Sequence, residues 1–328
     1  MFDIVGACQP CMDLCMNVAV FPKPNGGATV RQISWQGGGK VATGLAAAGR
    51  LGAKCAMMGA VGDDIFGAFC LRDLERHGVD TGGFVVRAGQ STPLVNVLSD
   101  SETGGRCFIG CPGTADRLSF AESDKTYIHN TKYFFVTIMD AETEAMVRYA
   151  RDTGAQVVID ADSYSEETMG KLSLINVFIA SESVLAALGG DCGNAKEVAR
   201  SIMQKGPKIV VFTLGANGCA GASKEGSFKL PAFDVDVVDT VGAGDVYHGA
   251  FIVGLLDGLS VAETARFASG ASAIKCTRIG GRAGIPNRAV LKQFLADGTI
   301  DYTEIDERVA FYERGIERYM STNRNIYT

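Results

Sequence analysis

Apolar positions follow two patterns along this chain. Short β-branched runs at Ile4–Gly6, Tyr133–Val136, Val157–Asp160, Val177–Ala180 and Ile209–Thr213 predict strands buried on both faces. Between them, Val41–Leu51, Ala141–Thr153, Ala195–Lys205 and Asp245–Leu256 carry helix-like patterns. Strands that alternate with helices predict an α/β fold: a mostly parallel sheet sandwiched by helices. Ligands of such sheets sit beyond the carboxyl ends of the strands. Asp160, Ser181-Glu182, Thr213 and Asp239-Thr240 each follow a strand-like run, which places them along that edge.

Two segments break the alternation. Met12–Trp35 and Ser91–Cys111 mix polar and apolar residues around turn formers (Pro22, Pro24, Asn25-Gly26-Gly27; Gly104-Gly105) and predict antiparallel hairpins. They form a small β lid, approximately residues 12–36 and 91–111. With no internal repeat and no Pro/Ser-rich linker, one domain over residues 1–328 is expected. A helical extension is expected from about 300 to 328, where Ile305, Val309, Tyr312, Ile316 and Tyr319 make an apolar stripe on a charged helix. The stripe docks on the chain's own core or on another subunit.

The most informative stretch is Asp239-Thr240-Val241-Gly242-Ala243-Gly244-Asp245. It follows the strand-like Asp234–Val238 and opens an apolar helix. Glycines two apart allow a tight turn whose amides converge on an anion, and the helix dipole adds to that field. A carboxylate at an anion site is electrostatically awkward unless it takes a proton from a hydroxyl that attacks the bound phosphate. The pattern reads as a phosphoryl-transfer centre.

Composition narrows the alternatives. At 328 residues with 47% apolar content the chain supports a large core, and its net charge of −6 argues against a nucleic-acid surface. The start lacks the pattern of a signal peptide, and no apolar run is long enough to span a membrane. A cytoplasmic location is expected. Among ten cysteines, Cys8, Cys11 and Cys15 form the tightest cluster, but no nearby His completes a metal site, so reduced thiols are expected.

Weaker motifs have bland readings beside them. Gly37-Gly38-Gly39-Lys40 before an Ala-rich helix permits close approach of a ligand, or is a tight turn; it lacks the Walker A spacing. Gly59–Gly67 carries an acid at a helix start, which reads as an N-cap. Thr213–Gly218 is a hairpin connection that touches phosphates if a nucleotide lies beside it. Arg31 and Arg106, on the hairpins, either meet an anionic substituent of a substrate or are solvated.

Taken in order, Gly38-Gly39 leading to Arg50-Leu51-Gly52, then Gly59–Gly67, Thr213–Gly218 and Asp239–Asp245, resemble the ribokinase-like (PfkB) carbohydrate kinases from about Ile4 to Leu295. The stretch from Phe267 through Pro286 is most similar to the branch containing bacterial sulfofructose kinases. The resemblance implies ATP-dependent phosphorylation of a sugar hydroxyl, with Asp245 as general base and Gly242, Ala243 and Gly244 as anion hole. It implies Asp13, Gly38, Gly39, Lys40 and Thr43 on the sugar side, and Thr213, Gly215, Gly218 and Thr240 with Gly242 and Gly244 on the nucleotide side. It places the adenine pocket near Cys276–Gly281.

The implied cofactors are ATP and Mg²⁺, with a monovalent cation left open and the metal ligands undetermined. The expected partners are a small-molecule sugar and a second copy of the chain, with no nucleic acid and no membrane. Two departures stand out. Thr43 occupies a position where the family often has a sugar-binding Asn, and Ser181-Glu182-Ser183-Val184 replaces an Asn-x-x-Glu element. Two alternatives stay open: a nucleoside kinase, for which Trp35, Phe21 and Phe108 offer flat surfaces, and a non-catalytic sensor of sugars or nucleotides.

Overall fold

The computed structural model describes residues 1–100, 102 and 104–316. In chain order the strands are β1 (Phe2–Ala7), β2 (Cys11–Val18), β3 (Val30–Gly38), β4 (Cys55–Gly62), β5 (Val79–Arg87), β6 (Leu94–Asp100), β7 (Arg106–Cys111), β8 (Thr131–Val136), β9 (Gln156–Ala161), β10 (Val177–Ser181), β11 (Ile209–Thr213), β12 (Cys219–Ser223) and β13 (Gly226–Leu230). Nine form one sheet in the order β13-β12-β11-β10-β9-β8-β1-β4-β5. Its pairings are parallel except at one edge, where β11-β12 and β12-β13 are antiparallel hairpins.

Alternation along each strand explains why both faces are covered. Ile4, Met57, Val158, Ile179 and Val211 point into one apolar core with the helices Lys40–Arg50, Ala243–Leu256 and Val261–Cys276. Their neighbours Val5, Met58, Ile159, Phe178 and Phe212 point into a second core with the helices Ala141–Asp152 and Ala195–Met203. Period-two side-chain direction turns continuous apolar runs into two cores.

The lid is a four-stranded sheet ordered β3-β2-β6-β7. Its two hairpins, β2-β3 and β6-β7, are antiparallel as their turn residues predict, and are joined side by side by a parallel β2-β6 pair.

One expected strand does not form. Asp234–Val238 belongs to neither sheet, although Phe233 and Val235 do pack on the core. Alternating side chains give an extended chain, but only a neighbouring strand makes it a ladder. Here the Val238 and Asp239 amides instead both donate to the Cys276 carbonyl, which ties the segment to a helix end.

The C-terminal helix Thr303–Glu313 lies on the chain's own core, with Ile305 and Tyr312 buried and Val309 and Ile316 packed beside them. Tyr319 lies outside the described residues. Among the described residues no helix is long and apolar enough to cross a membrane.

Candidate active site

Two helix N-termini meet at the carboxyl edge of the large sheet. Helix Lys40–Arg50 begins after Gly39 (φ 95°) and helix Ala243–Leu256 after Gly242 (φ 73°), and neither has a side-chain cap. Their backbones touch, since a methyl group on Gly249 would overlap the Gly44 carbonyl oxygen. At Gly242 a Cβ would sit 2.6 Å from the Gly281 Cα, whereas at Gly244 it would meet nothing within 4 Å. The turn is therefore closed behind Gly242 and open in front of Gly244.

Of the turn's amides, Ala243 donates to the Thr240 carbonyl at 3.2 Å. Among the described residues the Gly242, Gly244 and Asp245 amides have no acceptor. Uncapped donors at a helix start are suited to an anion. Asp239 fixes the turn from behind. Its buried carboxylate accepts from the Val241 and Gly280 amides, both at 2.9 Å, and its carbonyl accepts from the buried Lys275 at 2.7 Å. Thr240 faces the lid, where Arg106 of β7 donates to its carbonyl at 2.9 Å and its hydroxyl at 3.0 Å.

Carboxylates gather in front of this turn. Burial pushes the Asp245 carboxyl up, and the nearby Asp160, Asp162 and Asp13 add to the push against the opposing charge of Lys40. Lys40 pairs with Asp162 at 2.8 Å. Asp13 of β2 lies directly against Gly38, where a Cβ would collide with its carboxylate. Burial pushes it up to about 6, opposed by the Cys11 thiol donating at 3.2 Å and by the Arg282 charge.

Beneath Asp245, His248 Nδ1 lies 2.6 Å from the Gly244 carbonyl, and Nε2 lies 3.5 Å from the buried Asp160. Thr43 is buried, and its hydroxyl lies 3.5 Å from Arg282 Nε. The glycine loop, Asp13, Lys40 and Asp245 thus lie close together, and the Thr43 hydroxyl faces an arginine.

The remaining sequence candidates lie along the same edge. Thr213 ends β11, two strands from β9 and Asp160, or about 10 Å at roughly 4.8 Å per strand. Gly215 (φ 55°) opens the turn to β12 with free space at its Cβ position. Gly218 (φ 82°) closes it, and a side chain there would strike the Leu230 carbonyl. Ser181 caps the helix Glu182–Ala187 and donates to the Asp162 carbonyl at 2.7 Å. Asp64, read as a cap, accepts from the Gly67 amide at 2.8 Å.

All ten cysteines are free thiols, and among the described residues no group of His, Cys, Asp and Glu is arranged to hold a metal ion.

Sequence reading missed the roles of Asp162, His248 and Arg282. Asp162 lies two residues past Asp160 at the same strand end, which was a usable signal. His248 lies one helical turn after Gly244, a spacing that brings its ring back to that carbonyl.

A doubly covered α/β sheet with a β lid, and a turn of unpaired amides with a carboxylate at its lip, is the arrangement of a class of phosphotransferases. This chain belongs to the pfkB family of carbohydrate kinases, whose profile matches residues 4–288. The ATP-dependent ribose-1-phosphate kinase of Halopiger xanaduensis is 31% identical over 289 residues, covering 87% of this chain and 95% of that protein. The ribokinase of Haemophilus influenzae is 29% identical over 297 residues, covering 86% and 95%. In three dimensions the chain resembles the ribokinase of Thermotoga maritima, with a TM-score of 0.76 and 25% identity over 90% of this chain and 100% of that one. A putative ribokinase II from E. coli, solved with ATP and Mg²⁺, shares the fold with a TM-score of 0.78 at 20% identity, covering 90% and 99%. The protein is an ATP-dependent kinase of sugars or nucleosides.

Proposed function

We propose that this kinase transfers the γ-phosphoryl group of ATP to a hydroxyl of a neutral sugar. Asp245 is the general base, and the Gly242 and Gly244 amides are the anion hole. The observation that carries this reading is the Asp245 carboxylate at a helix N-terminus where, among the described residues, the Gly242, Gly244 and Asp245 amides lack acceptors. The acceptor hydroxyl lies between that carboxylate and the γ-phosphate, and its proton moves late, as oxygen bonds to phosphorus. Amide donors offset charge on the transferring oxygens, and Mg²⁺ arriving with the nucleotide supplies the remaining positive charge.

Asp13, Gly38, Gly39 and Lys40 hold the sugar, and Thr213, Gly215 and Gly218 flank the nucleotide phosphates. Thr240 acts on the nucleotide side through its backbone position, because its hydroxyl is held by Arg106. The lid shields the transfer from water, the competing acceptor.

Charge selects the acceptor class. Asp13, Asp160, Asp162 and Asp245 outnumber the cations near them, and those cations are engaged: Lys40 pairs with Asp162, Arg282 with Asp73, and Arg106 donates to Thr240. Such a pocket repels a phosphate or sulfonate and suits hydroxyls, which donate to carboxylates. Trp35 is partly buried against Phe69 and Tyr312 under the lid, which favours a packing role over a platform for a nucleoside base.

The test is a coupled ADP-release screen over neutral, acidic, phosphorylated and sulfonated sugars and adenosine, with ATP alone as baseline. A neutral sugar is expected to give the largest stimulation. A phosphorylated or sulfonated winner overturns the neutral acceptor, an adenosine winner makes the protein a nucleoside kinase, and no stimulation by any compound removes the catalytic reading.

A further inference from the structure

Behind the glycine loop lies a second polar cluster that the transfer chemistry does not use. Arg282 is fully buried, and its Nη1 donates to Asp73 Oδ2 at 2.6 Å. Its Nη2 donates to the Gly38 carbonyl at 3.0 Å, and its own amide donates to Gln36 Oε1 at 2.7 Å. The Gly37 amide donates to the same Asp73 carboxylate at 3.3 Å. Gly37 must be glycine here, since a Cβ would strike the Arg282 guanidinium. Gly37-Gly38 is therefore held between Asp13 on one side and the Asp73–Arg282 pair on the other.

The last partner comes from far away in sequence. Tyr312, on the C-terminal helix, donates its hydroxyl to Asp73 Oδ1 at 2.6 Å. That helix lies beyond residue 288, where the family match ends. The helix also spans from body to lid. Glu304 pairs with Arg50 at 2.5 Å, and Glu313 accepts from Gln32 of β3 at 3.0 Å. Trp35 of β3 packs in the same small core as Phe69 and Tyr312.

We propose that the C-terminal helix is a working part of the acceptor site, with Tyr312 a positioning residue that holds the Asp73–Arg282 pair and, through it, the Gly37–Lys40 loop. Without the hydroxyl, Asp73 Oδ1 keeps, among the described residues, only the distant His77, at 3.9 Å. A buried carboxylate that loses a donor turns toward its other partners, and the Gly37 amide and Arg282 shift with it. The inference rests on reading Gly37–Lys40 as the sugar-side loop, and its deciding readout needs no sugar.

Amide hydrogen exchange over residues 36–41 is measured for the full chain and for Tyr312→Phe, which keeps the ring. Faster exchange of the loop, at unchanged rates in the Asp245 helix, is expected. Glu313→Ala, which removes the same helix's surface acceptor for Gln32, is expected to leave the loop at the parent rate. With D-ribose or D-fructose as the acceptor probe, Tyr312→Phe is expected to raise KM for the sugar roughly tenfold, the worth of about one buried hydrogen bond, with KM for ATP within about twofold.

Loop exchange equal to the parent, or equal effects on both KM values, overturns the proposal. If Tyr312→Phe does not fold, Arg282→Lys serves instead, because an ammonium cannot bridge Asp73 and the Gly38 carbonyl as a forked guanidinium does; unchanged loop exchange there is equally fatal. A protein that phosphorylates neither sugar counts against that choice of acceptor, while the exchange result still decides the role of Tyr312.

Discussion

Two clusters of charged residues flank the same glycine loop, and they are built on opposite terms. Around Asp73 each strong group has its partner: Arg282, Tyr312, the Gly37 amide and the Gly38 carbonyl close on one another out of solvent. Burial alone would push Asp73 up, yet Arg282, His77 and the Tyr312 hydroxyl outweigh it and hold the carboxyl below its usual range. Around Asp245 the balance is reversed. Burial and three neighbouring carboxylates push it up against Lys40 alone. A satisfied network fixes structure, whereas an underpaired carboxylate keeps an acceptor position for an incoming proton. The first cluster is closed on itself; the second is left underpaired, as the proposed general base requires.

The largest effect expected from breaking this contrast is on turnover. Asp245→Asn keeps the shape of the turn and removes the proton acceptor, so kcat is expected to fall on the order of 10²–10⁴-fold in an ADP-release assay. Near-parent turnover would take Asp245 out of the mechanism. On the other side of the loop, Arg282→Met leaves Asp73 buried without its cation. A loss of about 3–5 kcal/mol is expected in urea unfolding, the cost of removing one partner from a buried pair.

The smallest and sharpest effect is a matter of sign. A carboxyl held low, as in Asp73, adds stability that is present above the unfolded value near 3.8 and disappears as pH falls through the folded value. A carboxyl held high, as in Asp245, does the reverse: its contribution is complete below 3.8 and is lost as pH rises through the folded value. Asp245→Asn should therefore melt above the parent at pH 8 and converge with it near pH 4. A variant less stable than the parent at pH 8 would show that the Asp245 charge is well satisfied after all.

What could be read from the chain divides along the distance over which its causes act. The strands, the hairpins and the turn at Gly242 are local patterns, set by alternation and by glycine, and they stand where the sequence placed them. Asp234–Val238 fails for a non-local reason: its alternation is real, but no strand lies beside it to complete a ladder. The catalytic-side constellation was legible because Asp245 and its glycines are contiguous. The Asp73–Arg282–Tyr312 cluster joins residues 209 and 239 positions apart. None of the three is unusual in its own neighbourhood, where a charged residue on a helix or loop normally faces water. Thr43 reads in the sequence as a shortened sugar ligand; that its hydroxyl also lies beside Arg282 is a relation that only the folded chain displays.

At Gly44 and Gly249 the two site helices meet through peptide groups alone. The approach of Lys40 to Asp245 is consequently set in part by main chain, where a side chain at either glycine would push the helices apart. On the proposed function, lid residues can vary and so change which sugar enters, while the reach from incoming alcohol to carboxylate stays constant. Diversification of substrate choice and preservation of the chemical step are thereby assigned to separate parts of the molecule.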